Sequence, residues 1–116
     1  MRTFKLFITA LFLLYHVSNA YAQAQALVTF KAPEDMEITA ESVTHGQARE
    51  YVDKIAEALN AHVNVTYGSL SAASGGKKIL AMVVSDTMTD DELITALRKH
   101  HAVLSARPNM KVRTMN

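Results

Sequence analysis

Apolar positions follow three different rhythms along this chain, and the rhythms predict its elements. Leu6 to Val17 is a nearly unbroken apolar run. It is shorter than the ~20 residues needed to span a bilayer. Arg2 and Lys5 precede it, and the small residues Ser18, Asn19, Ala20 and Ala22 follow. That is the layout of a secretory signal, expected over residues 1–22 with cleavage between Ala22 and Gln23. Cleavage after Ala20 or Ala24 is the alternative. Gln23 to Ala32 then alternates, with Ala26, Val28 and Phe30 on one face and Leu27, Thr29 and Lys31 on the other. This predicts a strand that Pro33 stops. Glu34 to Val43 is polar and without period, and reads as a loop.

Helical spacing comes next. Thr44-His45-Gly46-Gln47 has the form of a capping box. Ala48, Val52, Ile55, Ala56 and Leu59 make one stripe, so a helix is expected to about Ala61. Arg49/Asp53 and Glu50/Lys54 are opposite charges four residues apart on its polar side. His62 to about Leu70 alternates again and predicts a second strand. Ser71 to Lys78, centred on Gly75-Gly76, reads as the turn of a hairpin. Lys78 to Ser85 breaks the alternation, because Ile79, Leu80, Ala81, Met82, Val83 and Val84 are all apolar. Such a run predicts a strand covered on both faces. Thr89-Asp90-Asp91-Glu92 is a second capping box, its acids suited to a helix N-terminus. Leu93, Ile94 and Leu97 are the buried stripe, and Arg98, Lys99 and His100 suit the last turn. Val103 to about Met115 reads as the final strand and tail, interrupted by Pro108.

The order β-α-β-β-α-β predicts an α+β, ferredoxin-like fold: a four-stranded antiparallel sheet with two helices on one face. In that arrangement the first and third strands are central. The third strand therefore exposes a second apolar face, either Leu80, Met82 and Val84 or Ile79, Ala81 and Val83, depending on register. That face is expected to dock a partner.

Composition adds little to this picture. At 49% hydrophobic and 20% charged, the chain is that of a globular domain. Loss of residues 1–22 removes Arg2 and Lys5, turning the net +1 into a slight acidic excess. Nothing in that balance favours nucleic acid. With no cysteine, residues 23–116 gain no disulfide from an exported, periplasmic or extracellular location. No stable membrane anchor is expected after signal cleavage.

Candidate chemistry is sparse. No G-x-S-x-G, H-E-x-x-H or Walker-type loop occurs. Ser74-Gly75-Gly76-Lys77 lacks the spacing of a phosphate loop. His45, His62, His100 and His101 fall at helix and strand ends, and on a helix the adjacent pair would point about 100° apart. Neither an enzyme, a metal site nor a cofactor is expected. Asn64-Val65-Thr66 matches a glycosylation acceptor, but within a predicted strand.

The C-terminal third carries a resemblance. Thr89-Asp90-Asp91-Glu92-Leu93-Ile94, followed by Val103-Leu104-Ser105-Ala106-Arg107-Pro108-Asn109, resembles the capped helix, valine and proline-asparagine step of subtilisin-type protease propeptides of the fervidolysin-like kind. Ala26 to Ala32 is similar to their opening strand, and the likeness covers residues 25–113. It implies a folding chaperone and inhibitor of an exported subtilase, with residues 23–116 as the propeptide-like domain. It also implies a sheet face (Leu80, Met82, Val84) set against protease helices. The extended tail Lys111, Val112, Arg113, Thr114, Met115 and Asn116 would lie in the protease cleft. The family has an acid where Arg107 stands, one that caps protease helices; here Asn109 is the candidate for that contact. The resemblance is to the propeptide without its catalytic domain, so the protein is expected to act in trans or to be a truncated precursor. The alternative is a small periplasmic ferredoxin-like module that binds a ligand or oligomerises through its sheet.

Overall fold

The structure, a computed structural model, describes residues 23–109. Four strands, β1 (Ala24–Lys31), β2 (His62–Thr66), β3 (Lys78–Ser85) and β4 (Val103–Pro108), form one antiparallel sheet in the order β2-β3-β1-β4. β1 and β3 are central, as the element order predicts. Four helices accompany them: α1 (Ala40–His45), α2 (Gln47–Ala58), α3 (Gly68–Ala73) and α4 (Asp90–Arg98). The fold is α+β with the ferredoxin-like order of its main elements, to which α1 and α3 are additions.

The core lies between one sheet face and the two longer helices. β1 alternates strictly, with Ala24, Ala26, Val28 and Phe30 buried in it. Val52, Ile55 and Ala56 of α2 and Leu93, Ile94 and Leu97 of α4 close it from above. Both helical stripes predicted from the sequence are thus core stripes, with Leu59 packed at the margin. α2 sits against β2 and β3, and α4 against β1 and β4.

Helix ends follow local chemistry, with one correction. The Thr89 box is present: Thr89 Oγ1 accepts from Glu92 N at 3.2 Å, and Glu92 Oε1 accepts from Thr89 N at 2.9 Å. The Thr44 box is not. Thr44 lies inside α1, where its hydroxyl donates to Ala40 O at 2.8 Å. The cap is Thr39, reciprocated by Ser42, so residues 40–45, read as loop and cap, are helical. A serine can return the N3 contact as glutamate does, but lies outside the acid-or-amide pattern. Gly46 joins α1 to α2, and a Cβ there would meet Ser42 Cα at 2.9 Å. α2 ends three residues earlier than expected, in a Schellman turn. Ala61 N donates to Ala56 O, Asn60 N donates to Glu57 O, and Asn60 takes φ 62°. Of the two ion pairs expected on α2, Arg49–Asp53 forms at 3.0 Å and is the one ion pair among the described residues.

The predicted hairpin between β2 and β3 is a second correction. β2 stops at Thr66, and the chain winds into α3 instead of running on to Leu70. β3 is longer than β2, so its first residues would face an empty edge. Serines of α3 fill it. Ser71, fully buried, accepts from Leu80 N at 2.9 Å and donates to Tyr67 O at 2.8 Å. Just beyond the helix, the Ser74 hydroxyl accepts from Lys78 N at 3.0 Å. Covering an edge in this way blunts its capacity to pair with another chain. β4 ends at Pro108, the residue expected to interrupt the final strand and tail.

Candidate functional site

Register settles which side of β3 faces the helices. Ile79, Ala81 and Val83 enter the core. Leu80, Met82 and Val84 lie on the opposite face, opposite Thr29, Leu27 and Gln25 of β1. The face named for docking is therefore the one turned from α2 and α4. It is not uniformly bare: Met82 and Val84 are buried, and Leu80 is half-buried.

Two halves can be distinguished. At the Met82–Val84 end the face is closed by polar side chains. Asn109 Nδ2 donates to Gln25 Oε1 at 2.8 Å and lies 3.8 Å from Met82 Sδ. Asn64 Nδ2 reaches the same sulfur at 4.0 Å. Asn109 itself is 7% exposed. The residue expected to cap a partner's helix thus spends that amide hydrogen bond within its own sheet.

At the Leu80 end the face opens into a groove of ≈ 460 Å³. Its floor is Leu27, Thr29 and Leu80, one wall is Tyr67 and Leu70, and the other is Ser105 and Arg107. Leu70 is 58% exposed on its wall. Tyr67 and Leu70 fall in a stretch whose alternation reads as strand, which hides their place in the groove wall. No local signal marks α3; the unequal lengths of β2 and β3 create it. Leu104 on the edge strand β4 is 52% exposed.

The remaining predicted positions fall elsewhere. Gln23 is exposed, with Nε2 donating to Asp86 Oδ1 at 2.8 Å. Ala22 and the tail Lys111 to Asn116 lie outside the described residues. The histidine expectation needs correction. α4 ends at Arg98, so His100 and His101 are not helical, and their rings stack with centroids 4.7 Å apart at 19°. His100 Nδ1 accepts from Ala102 N at 3.0 Å. Among the described residues, no three His, Asp or Glu side chains converge as a metal site would require. No buried polar side-chain atom among them lacks a hydrogen-bond partner. What the groove offers is apolar surface, hydroxyl groups and one guanidinium.

Comparison of the chain with protein-family models, curated proteins and solved structures found no match to any of the three.

Proposed function

We propose that the protein is a propeptide-like chaperone and inhibitor that binds an exported subtilisin-type protease. The observation that carries this reading is the face of β3 turned away from the helices. It presents a half-buried leucine and an open groove on a sheet whose other side is fully packed. The resemblance of residues 25–113 to subtilase propeptides supplies the partner class. A partner element seated in the groove would bury Leu70 and complete the cover of Leu80. Such contacts require a near-native partner surface, so binding stabilises that state in proportion to its preference for it. Residues 110–116 follow β4 without Pro or Gly. As an extended segment they suit a protease cleft, where peptides are held as added strands.

The test mixes the purified protein with a panel of subtilisin-type proteases. Inhibition of at least one, and recovered activity when the same protease is refolded in its presence, is the expected result. Absence of both across the panel sinks the reading.

One observation favours a second reading, a small ligand-binding module. The groove volume lies within the ~300–1,000 Å³ typical of small-molecule sites. A module of that kind would bind its ligand equally well without residues 111–116.

A further inference from the structure

Charge is distributed unevenly between the two sides of the sheet. All 11 acidic side chains of the chain lie on helices and connecting segments, and none lies on a strand. The strands carry Lys31, Lys78 and Arg107 instead. Strand alternation places all three on the face turned from α2 and α4. Lys31 and Lys78 are direct partners across β1 and β3, and Arg107 is the partner of Leu27 across β1 and β4. Each is exposed. Among the described residues none forms an ion pair, the one such pair being Arg49–Asp53 on α2.

These cations frame the groove. Arg107 is part of its wall. Lys31 lies two residues after Thr29 and Lys78 two residues before Leu80, so both sit on the same face about 7 Å beyond the groove floor along their antiparallel strands. Lys77 joins them at the edge of a neighbouring hollow, where Glu34 is the single acid and pairs with none of the three. Like charges directly opposed on neighbouring strands destabilise a sheet. The Lys31–Lys78 pair is thus a local cost to the free protein that a carboxylate placed between the two ammonium groups would relieve.

We infer that the element seated on this face is an acidic amphipathic polypeptide segment. Its apolar side occupies the groove at Leu27, Leu70 and Leu80, and its carboxylates meet Lys31, Lys78 and Arg107. The inference rests on the reading of this face as a docking surface, and it adds the chemistry of the partner. Apolar contact supplies the attraction at short range. The cationic frame speeds encounter and rejects basic partners.

Two synthetic helical peptides provide the test. Both carry leucines at the same positions; one has flanking glutamates, the other flanking lysines. Each is titrated into the purified protein and followed by fluorescence anisotropy. The glutamate peptide is expected to bind at least about tenfold more tightly at ~0.1 M salt. The preference should collapse at ~1 M salt, where the Debye length falls from about 10 Å to about 3 Å. Lys78→Glu together with Arg107→Glu should abolish it. Lys78→Glu places a glutamate opposite Lys31 and Arg107 is exposed, so the thermal midpoint of the double variant should stay within a few degrees of the parent's, and lost binding is then not lost folding. Equal affinity for the two peptides overturns the inference, as does a preference that survives both charge reversals. Binding to anionic phospholipid vesicles with neither peptide bound also overturns it, and assigns the face to lipid. Glutamate preference without inhibition of any subtilase keeps the acidic partner and removes the protease. Protease inhibition with equal peptide affinities does the reverse.

Discussion

Ser71 shows how much a single hydroxyl does in this fold. It sits fully buried in a six-residue helix and ties that helix to the sheet by accepting from Leu80 N. Its own proton goes to Tyr67 O. Ser71→Ala removes both contacts and leaves the Leu80 N–H, next to the groove, without its acceptor. A buried donor left unpaired costs about 1–3 kcal/mol. The expected loss in urea unfolding is of that size, with an unchanged slope. A loss below a few tenths of a kcal/mol would mean that water replaces the hydroxyl. Gly68 is constrained beside it: a Cβ there would lie 2.9 Å from Ala40 O. Small residues therefore set α3 against α1, and with it the wall formed by Tyr67 and Leu70.

The elements divide into those held by their own sequence and those held by neighbours. α4 belongs to the first group. It has a reciprocal cap, three acids in its first turn and Arg98 in its last. The Arg98 side chain also donates to Ala106 O at 3.0 Å, fastening the helix to β4. Thr89→Ala removes the side-chain acceptor of the cap and should cost about 1 kcal/mol in chemical denaturation. Thr89→Ser should restore most of it. α3 belongs to the second group, with no side-chain cap at its start and no charged residue in it. It exists because the early part of β3 needs partners that β2 is too short to give. That contrast explains what was legible. The Thr89 box, the α2 stripe and the bounds of β3 could be read directly, since spacing and composition mark them. α1 was hidden by an unusual serine partner, and α3 by a rule of the sheet rather than of the segment.

At the scale of the molecule, packing is one-sided. Both longer helices cover one face, and the other combines a polar-closed half with an open groove. If the protein acts on a protease through that face and through its C-terminal segment, the two contributions separate. Deletion of Lys111 to Asn116 leaves every strand and helix of residues 23–109 untouched in sequence. The thermal midpoint should therefore stay within a few degrees of the parent's, while inhibition of a sensitive subtilase falls by at least about a hundredfold, as loss of the cleft contact requires. Inhibition that persists undiminished would show that the sheet face acts alone, without the C-terminal segment.

Sequence alone determined the class of this fold, because alternation at two residues and stripes at helical spacing fix the elements, and their order leaves few topologies. It also marked β3 as the strand with two apolar faces. It did not determine which face was which, since a slip of one residue inverts every side chain of a strand and an all-apolar run carries no phase. Only pairing with β1 decided that Leu80, Met82 and Val84 face away from the helices. The tertiary structure also decided that Met82 and Val84 are buried, that Asn109 turns inward, and that a helix walls the groove. Each depends on residues that pairing across the sheet brings together: Met82 and Val84 on Leu27 and Gln25, Asn109 on Gln25, Ser71 on Leu80. Such pairs have no spacing to betray them, and only the folded sheet brings them together.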